Sequence, residues 1–259
     1  MSFISLRNVT KTFGDFTALR NISLDVAAGT FISIVGPSGC GKSTLLQILG
    51  GLVPASGGAA LLKEKAIAAP PPEMVYVFQQ YNRSLYPWRT VRNNVAFGLE
   101  AMGVDGATIA KKCAEYIELV GLKGFEHHYP HQLSGGMQQR VAVARALVRN
   151  PEVLLMDEAF GSVDAQTRAG LQDLLLRLWR EYGFTVMFVT HDIDEAIYLS
   201  EKIVVLSGSP AGIRASIDTD LGYPRDQVKT RESERYLAHR RRLYSLVFSE
   251  GASAPEIAA

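Results

Sequence analysis

The chain has 259 residues, of which 47% are hydrophobic, and its 27 Lys and Arg nearly cancel its 26 Asp and Glu to leave a formal net charge of +1. That is enough apolar material for one large α/β domain with a subdomain, and the near-neutral balance removes any global electrostatic case for nucleic acid. Two cysteines, Cys40 and Cys113, supply neither a disulfide framework nor metal-ligand spacing, which fits a reducing compartment.

The opening residues Met1-Ser2-Phe3-Ile4-Ser5-Leu6-Arg7 carry no basic segment followed by a long apolar stretch, so no secretory leader is expected. No run approaches about 18 apolar residues, so work at a membrane would need another chain to span it. Ile4 to Val9 and Ile22 to Val26 read as strands bracketing Lys11-Thr12-Phe13-Gly14-Asp15 as a turn, an antiparallel start. Phe13 there offers a face on which a purine can stack, although such an aromatic also suits a partly buried core position.

Phe31-Ile32-Ser33-Ile34-Val35 is a short apolar run, and Thr44-Leu45-Leu46-Gln47-Ile48-Leu49 reads as a helix ending at Gly50-Gly51. Between them lies Gly36-Pro37-Ser38-Gly39-Cys40-Gly41-Lys42-Ser43, which fits the P-loop pattern in the required order of strand, glycine turn and helix. Glycines let the backbone wrap close to a polyphosphate, and the helix N-terminus aims free N–H groups at the same anion. Lys42 adds a full charge for the β- and γ-phosphates and Ser43 a hydroxyl for Mg²⁺. Cys40 reads as a small residue filling a turn.

Pro54-Ala55-Ser56-Gly57-Gly58 is a turn and Ala59 to Lys65 a short strand. Pro70-Pro71-Pro72 stops any helix and feeds the strand Met74-Val75-Tyr76-Val77-Phe78, which ends at Gln79-Gln80. Gln79 is a candidate ligand for Mg²⁺ or water, or an ordinary strand end. From about residue 88 to 150 the pattern turns helical, with Val91 to Met102, Ala107 to Val120 and Gln138 to Arg149 at helical spacing. This predicts an inserted helical subdomain. Leu85-Tyr86-Pro87-Trp88 at its entrance either docks a partner helix or packs between the lobes.

Pro151 to Glu158 reads as a buried strand delivering Asp157 and Glu158 at its C-terminal end, where open α/β sheets bind ligands. Asp157 is the expected Mg²⁺ holder, while Glu158 points elsewhere and can polarise a water. Thr185 to Thr190 is the next such strand and ends on His191-Asp192. Ile203 to Leu206 and Ile213 to Ile217 make a final hairpin. Past Tyr223-Pro224, residues 235 to 248 are helical in spacing with Arg240-Arg241-Arg242 among apolar positions. That helix either packs its apolar side on the domain with the arginines in water or lies on anionic lipid. The tail after Gly251 is expected to be flexible.

Leu133-Ser134-Gly135-Gly136-Met137-Gln138-Gln139-Arg140, upstream of the carboxylate strand, decides among P-loop classes. With the P-loop it resembles the nucleotide-binding subunit of an ATP-binding cassette (ABC) transporter, whose hallmark is a Leu-Ser-Gly-Gly-Gln-type sequence in that place. The motifs run in order over roughly the first 220 residues. The resemblance implies an α/β P-loop NTPase (RecA-like) core with an antiparallel β subdomain and an inserted α-helical subdomain. It places the ABC-type nucleotide-binding domain at 1–222 and a C-terminal helical extension with a tail at 223–259.

It also implies an ATP hydrolase that binds ATP and Mg²⁺. Phe13 would stack on adenine, residues 36 to 44 from Gly36 to Thr44 would hold the triphosphate, and Ser43, Gln79 and Asp157 would hold Mg²⁺. Glu158 would orient the attacking water, with His191, Lys42 and Gln79 completing the catalytic set. Ser162-Val163-Asp164 would cross a dimer interface. Ser134, Gly135 and Gly136 precede a helix expected near Met137 and form a second anion cradle, which in that family closes over the γ-phosphate held by a second copy.

The departures are Met137 for Gln, Val163 for Leu, Ala159 for Pro, and Lys63-Glu64 for an Asp-Gly turn. Similar loops, among them Leu85 to Val91 and Asp194-Glu195-Ala196, resemble the nitrate, sulfonate and taurine uptake branch. The expectation is a homodimer on the cytoplasmic face of the inner membrane, bound peripherally to a permease, with a solute-binding protein as an indirect partner and no nucleic acid. The rival class is a non-transport cassette ATPase of DNA repair or translation, which would need a long coiled-coil insertion or a second cassette. A P-loop kinase or GTPase would lack the Leu133 to Arg140 stretch.

Overall fold

The computed structural model describes residues 2–79, 84–161 and 163–248. Two sheets form among them. β1 (Ile4–Phe13), β2 (Phe16–Val26), β4 (Gly57–Leu62) and β5 (Lys65–Ala66) make an antiparallel sheet in the order β2-β1-β4-β5. β3 (Phe31–Val35), β6 (Met74–Val77), β7 (Val153–Asp157), β8 (Thr185–Val189), β9 (Lys202–Leu206) and β10 (Ile213–Asp218) make the larger sheet, ordered β10-β9-β3-β8-β7-β6. Its strands are parallel except for the terminal β9-β10 hairpin.

Strands buried on both faces read as continuous apolar runs, because helices or a second sheet cover each side. In β3, β7 and β8 every residue is buried, and alternate residues serve different cores. Ile32, Ile34, Val153, Leu155, Met187 and Val189 face the antiparallel sheet and the helix α1 (Lys42–Leu49). Phe31, Val35, Leu154, Met156, Val186 and Phe188 face the other layer. That layer holds α2 (Val91–Glu100), α3 (Gly106–Leu119), α4 (Gly135–Leu147), α5 (Ala165–Tyr182) and α6 (Ile193–Leu199). No described helix is long and apolar enough to cross a membrane.

The helical stretch between β6 and β7 forms as its spacing predicts, with Thr90 and Asp105 capping α2 and α3 through their side chains. Boundaries in the antiparallel sheet differ from those the spacing predicts. β1 runs on to Phe13, which pairs with Phe16 across Gly14-Asp15, so Lys11 and Thr12 lie in the strand and not in the turn. The stretch read as one strand from Ala59 to Lys65 is two, joined at Lys63 and Glu64, which take φ of 49° and 65°. Two successive left-handed residues make the tight turn that the twist of a hairpin favours.

The C-terminal extension adds α7 (Lys229–Glu232) and α8 (Glu234–Phe248). On α8, Tyr236 and Leu243 are buried while Arg240, Arg241 and Arg242 are exposed, the packed alternative of the two expected.

The register of the parallel strands fixes where chemistry can occur. Val77 pairs with Met156, Asp157 with Val189, and Val189 with Ile34, so all four strands end along one edge. The core behind that edge is continuous, and Leu155 sits in it with no exposure. Leu155→Ala is expected to lower unfolding free energy by about 2–5 kcal/mol, the range for deleting a fully buried Leu side chain. A denaturant titration that moved less than about 1 kcal/mol would mean the sheet can collapse onto the gap.

Candidate functional site

The loop between β3 and α1 wraps a concave turn. Gly39 and Gly41 take φ of 74° and 111°, values open to glycine at no steric cost. A Cβ on Gly41 would come within 2.9 Å of the Leu19 side chain, whereas one on Gly39 would meet nothing within 4 Å. Gly41 is thus held against β2, and Gly39 stands at the exposed crest with Ser38. Lys42 is buried, its Nζ donating to the carbonyls of Gly36 at 2.9 Å and Pro37 at 3.0 Å. The charge therefore lies in the hollow of the loop. Cys40 is buried behind it, and burial pushes its thiol pKa up, in keeping with the role of a small turn-filling residue.

Asp157 and Glu158, adjacent in sequence, go to different work. The Asp157 carboxylate accepts from Ser43 Oγ at 2.9 Å and from Tyr76 Oη at 3.0 Å. Burial pushes its pKa above the ordinary carboxylate value, while those two hydrogen bonds pull the other way. Burial, then the adjacent Asp157 charge, pushes the Tyr76 phenol up as well. Tyr76 was legible only as a residue of an apolar strand, since nothing in its spacing announces a carboxylate partner.

Glu158 has a left-handed backbone, φ 44°, uncommon for a non-glycine residue and of a kind that clusters at functional sites. Its N–H donates to Val189 O at 2.8 Å and its carbonyl accepts from Gly161 N–H at 3.1 Å. The chain turns sharply there, which sends the side chain away from Asp157. Glu158 Oε2 then accepts from Gln79 Nε2 at 2.9 Å and lies 3.2 Å from His191 Nδ1. Three residues singled out separately in the sequence, at the ends of β6, β7 and β8, meet at one oxygen.

The remaining candidates are arranged around this centre. Phe13 is 49% exposed at the tip of the β1-β2 hairpin, with Lys11 Nζ 4.7 Å from its ring centroid on one face. Lys11 is itself buried and donates to Pro54 O at 2.8 Å, a support the sequence reading missed. Asp164 is the N-cap of α5, accepting from Thr167 N–H at 2.9 Å, and the hydrogen bonds from Thr167 hold its carboxyl below the ordinary range. Val163 O accepts from Arg168, which also pairs with Asp192 at 3.4 Å. Ser162 lies outside the described residues, as does Gln80.

Helix α4 starts at Gly135 and not near Met137, with Ser134 as N-cap accepting from Met137 N–H at 3.3 Å. Ser134 and Gly135 are exposed. Gly136 is buried, and a Cβ there would sit 2.2 Å from Thr167 Cγ2. Gly136 thus lets α4 approach the first turn of α5, where Asp164 is the cap. This close approach is a second use of Gly136, one that its place in the sequence does not announce.

Among known proteins, the model of the family described as ABC transporter matches residues 19–161. An ABC transporter ATP-binding protein of Methanocaldococcus jannaschii, MJ0412, is 46% identical over 254 residues, covering 95% of this chain and 92% of its own. The aliphatic sulfonates import ATP-binding protein SsuB of Bacillus anthracis is 44% identical over 229 residues, covering 87% and 89%. The dimeric post-hydrolysis structure of the ATP-binding cassette MJ0796 bound to ADP and Pi superposes with a TM-score of 0.72 at 35% identity, over 83% of this chain and 98% of that one. The chain belongs to the ABC transporter family. It is an ATP-hydrolysing cassette with the fold expected from its motifs.

The Gly136 contact yields a test. Gly136→Ala is expected to lower stability by about 1–3 kcal/mol through overpacking. Adding Thr167→Ser, which removes the obstructing methyl, should restore most of the loss in a thermal or denaturant melt.

Proposed function

We propose that this cassette is the motor of an import system, hydrolysing ATP as a homodimer to drive uptake of a small anionic solute through a separate membrane permease. The convergence of Gln79 and His191 on Glu158 Oε2, beside the Ser43–Asp157 pair, carries the reading. The likeness to a sulfonate-import cassette supports the direction of transport and the class of solute, with nitrate, sulfonates and taurine as the candidates.

In this reading Phe13 offers its free face to adenine, and the loop from Gly36 to Thr44 wraps the phosphates. Lys42 exchanges the carbonyls of Gly36 and Pro37 for the β- and γ-phosphates. Ser43 and Gln79, with Asp157 behind them, present the hard oxygen donors that Mg²⁺ prefers, and bound Mg²⁺ would neutralise charge developing on the transferred phosphoryl group. Glu158 orients and deprotonates the attacking water, with His191 donating to the γ-phosphate. Positioning and charge stabilisation supply the rate, as phosphoryl transfer requires. The exposed Ser134 and Gly135 of a second copy, with its Gly136 N–H behind them, would close on that phosphate, and Asp164 would lie at the seam. Loss of the γ-phosphate then releases the grip.

The permease would meet the cassette at the entrance of the helical subdomain, on the cytoplasmic face of the membrane. Trp88 is 71% exposed there, its ring centroid 5.4 Å from that of Tyr86, which contacts Phe97 at 4.8 Å. Arg89 covers both Tyr86 and Phe97 and pairs with Glu100. A groove of about 610 Å³ runs beside them, lined among others by Tyr76, Phe78, Met102 and Arg145. Tyr76 also bonds Asp157, so the groove's wall and the site share a residue. Leu85, grouped with this loop in the sequence, is buried in the core and drops out of the docking surface.

Glu158→Gln should lower kcat by about 10²- to 10⁴-fold, the scale of a lost general base, while a fluorescent ATP analogue binds with affinity within about threefold. Unaltered turnover would refute the role given to Glu158. Trp88→Ala should keep the ATPase rate of the isolated chain but reduce solute uptake with the permease about tenfold or more, as removal of a hot-spot aromatic does. Normal uptake would remove the docking surface.

A further inference from the structure

Glu195 is a buried carboxyl group with no part in the chemistry above. It lies in the first turn of α6 and is 4% exposed. Its Oε2 accepts from Thr190 Oγ1 at 2.5 Å and its Oε1 from Gln172 Nε2 at 3.1 Å. Its own N–H donates to Asp192 Oδ1 at 3.1 Å, and Asp192 N–H donates back to Thr190 Oγ1 at 3.0 Å. Both neighbours of His191 are therefore tied to Glu195. The His191 side chain is 59% exposed, so apart from its 3.2 Å contact with Glu158 little packing aims the imidazole, and the backbone that Glu195 holds sets where the ring can reach.

The hydrogen bonds continue outward. Gln172, in the middle of α5, donates to Glu195 through its NH₂ and accepts through Oε1 from Arg231 Nη2 at 3.1 Å and Gln227 Nε2 at 3.4 Å. Gln227 also bonds Asp173 at 2.8 Å. On the outer side of α6, Asp194 Oδ1 accepts from Tyr236 Oη at 3.0 Å and from Arg240 Nε at 3.0 Å. The C-terminal extension thus grips the helix that follows His191 in two places, one of them through a buried polar path. A carboxylate met by neutral donors in an apolar interior is costly. Burial accordingly pushes the Glu195 carboxyl above its ordinary value.

We propose that Glu195 is a positioning residue for His191 and that Gln172 extends its hold to Arg231, so that residues 223–248 set the rate of hydrolysis without touching nucleotide. This rests on the reading of His191 as the γ-phosphate contact.

The test uses the full-length chain, with steady-state ATPase rates and binding of trinitrophenyl-ATP for Glu195→Gln and Arg231→Ala, each made alone and in a His191→Ala background. Arg231 is half-buried and also covers the Tyr198 ring, so a thermal melt of each variant accompanies the rates to separate loss of fold from loss of turnover. Either change alone should lower kcat about three- to tenfold, the scale of coupling through a shared hydrogen-bond network, with KM and probe affinity within about twofold. In the His191→Ala background, single-turnover rates should show no further fall. Equal losses in both backgrounds, or unchanged kcat in both single variants, would overturn the proposal while leaving His191 in place. Full turnover by His191→Ala alone would overturn the role of His191 and this proposal together.

Discussion

The Glu158 carboxylate, met on one oxygen by Gln79 and His191, is the contact on which the site depends. It can form only because β6, β7 and β8 end in register, which is a property of the parallel sheet and its two apolar faces. The left-handed backbone at Glu158 completes it by swinging that side chain off the line of Asp157. A slip of one residue in any strand would exchange the faces and scatter the three groups.

Two adjacent carboxylates would repel each other if they shared an environment. Here they do not. Asp157 is drawn inward to Ser43 and Tyr76 and raised in pKa by burial, whereas Glu158 lies at the edge with a fifth of its side chain exposed. The inward group suits the support of a cation and the outward one suits the activation of water. The same edge is connected to distant parts of the chain through ordinary contacts: Tyr76 toward the groove beside Trp88, Gly136 and Thr167 between the hallmark helix and the Asp164 cap, and Gln172 toward the C-terminal helices.

Much of this was legible in the sequence where residue type and spacing carry the chemistry. The P-loop and the strand-end carboxylates stand out because phosphate and metal sites call for glycines, a lysine and polar groups at fixed points of an α/β unit, whereas Gln79 by itself reads equally as an ordinary strand end and takes its role, with His191, from the resemblance. What stayed hidden depends on partners remote in sequence. Tyr76 is one letter in an apolar strand until β7 lies beside it, and Lys11 looks like a turn residue because Gly14-Asp15 dominates its neighbourhood. The sequence pattern starts α4 two residues late because glycine is a poor helix former. The structure places Gly135 and Gly136 inside the helix, where Ser134 caps it and Thr167 leaves no room for a side chain. Leu85 and Trp88 are both large and apolar, and only the fold separates the core residue from the exposed one.

On the function proposed above, this hydrolytic centre is complete only when a second copy supplies Ser134 and Gly135. Sedimentation velocity of the Glu158→Gln chain with saturating ATP and Mg²⁺ measures it directly. A two-chain species that disappears when ADP replaces ATP is the expected result, and a single-chain species at saturating ATP would contradict it.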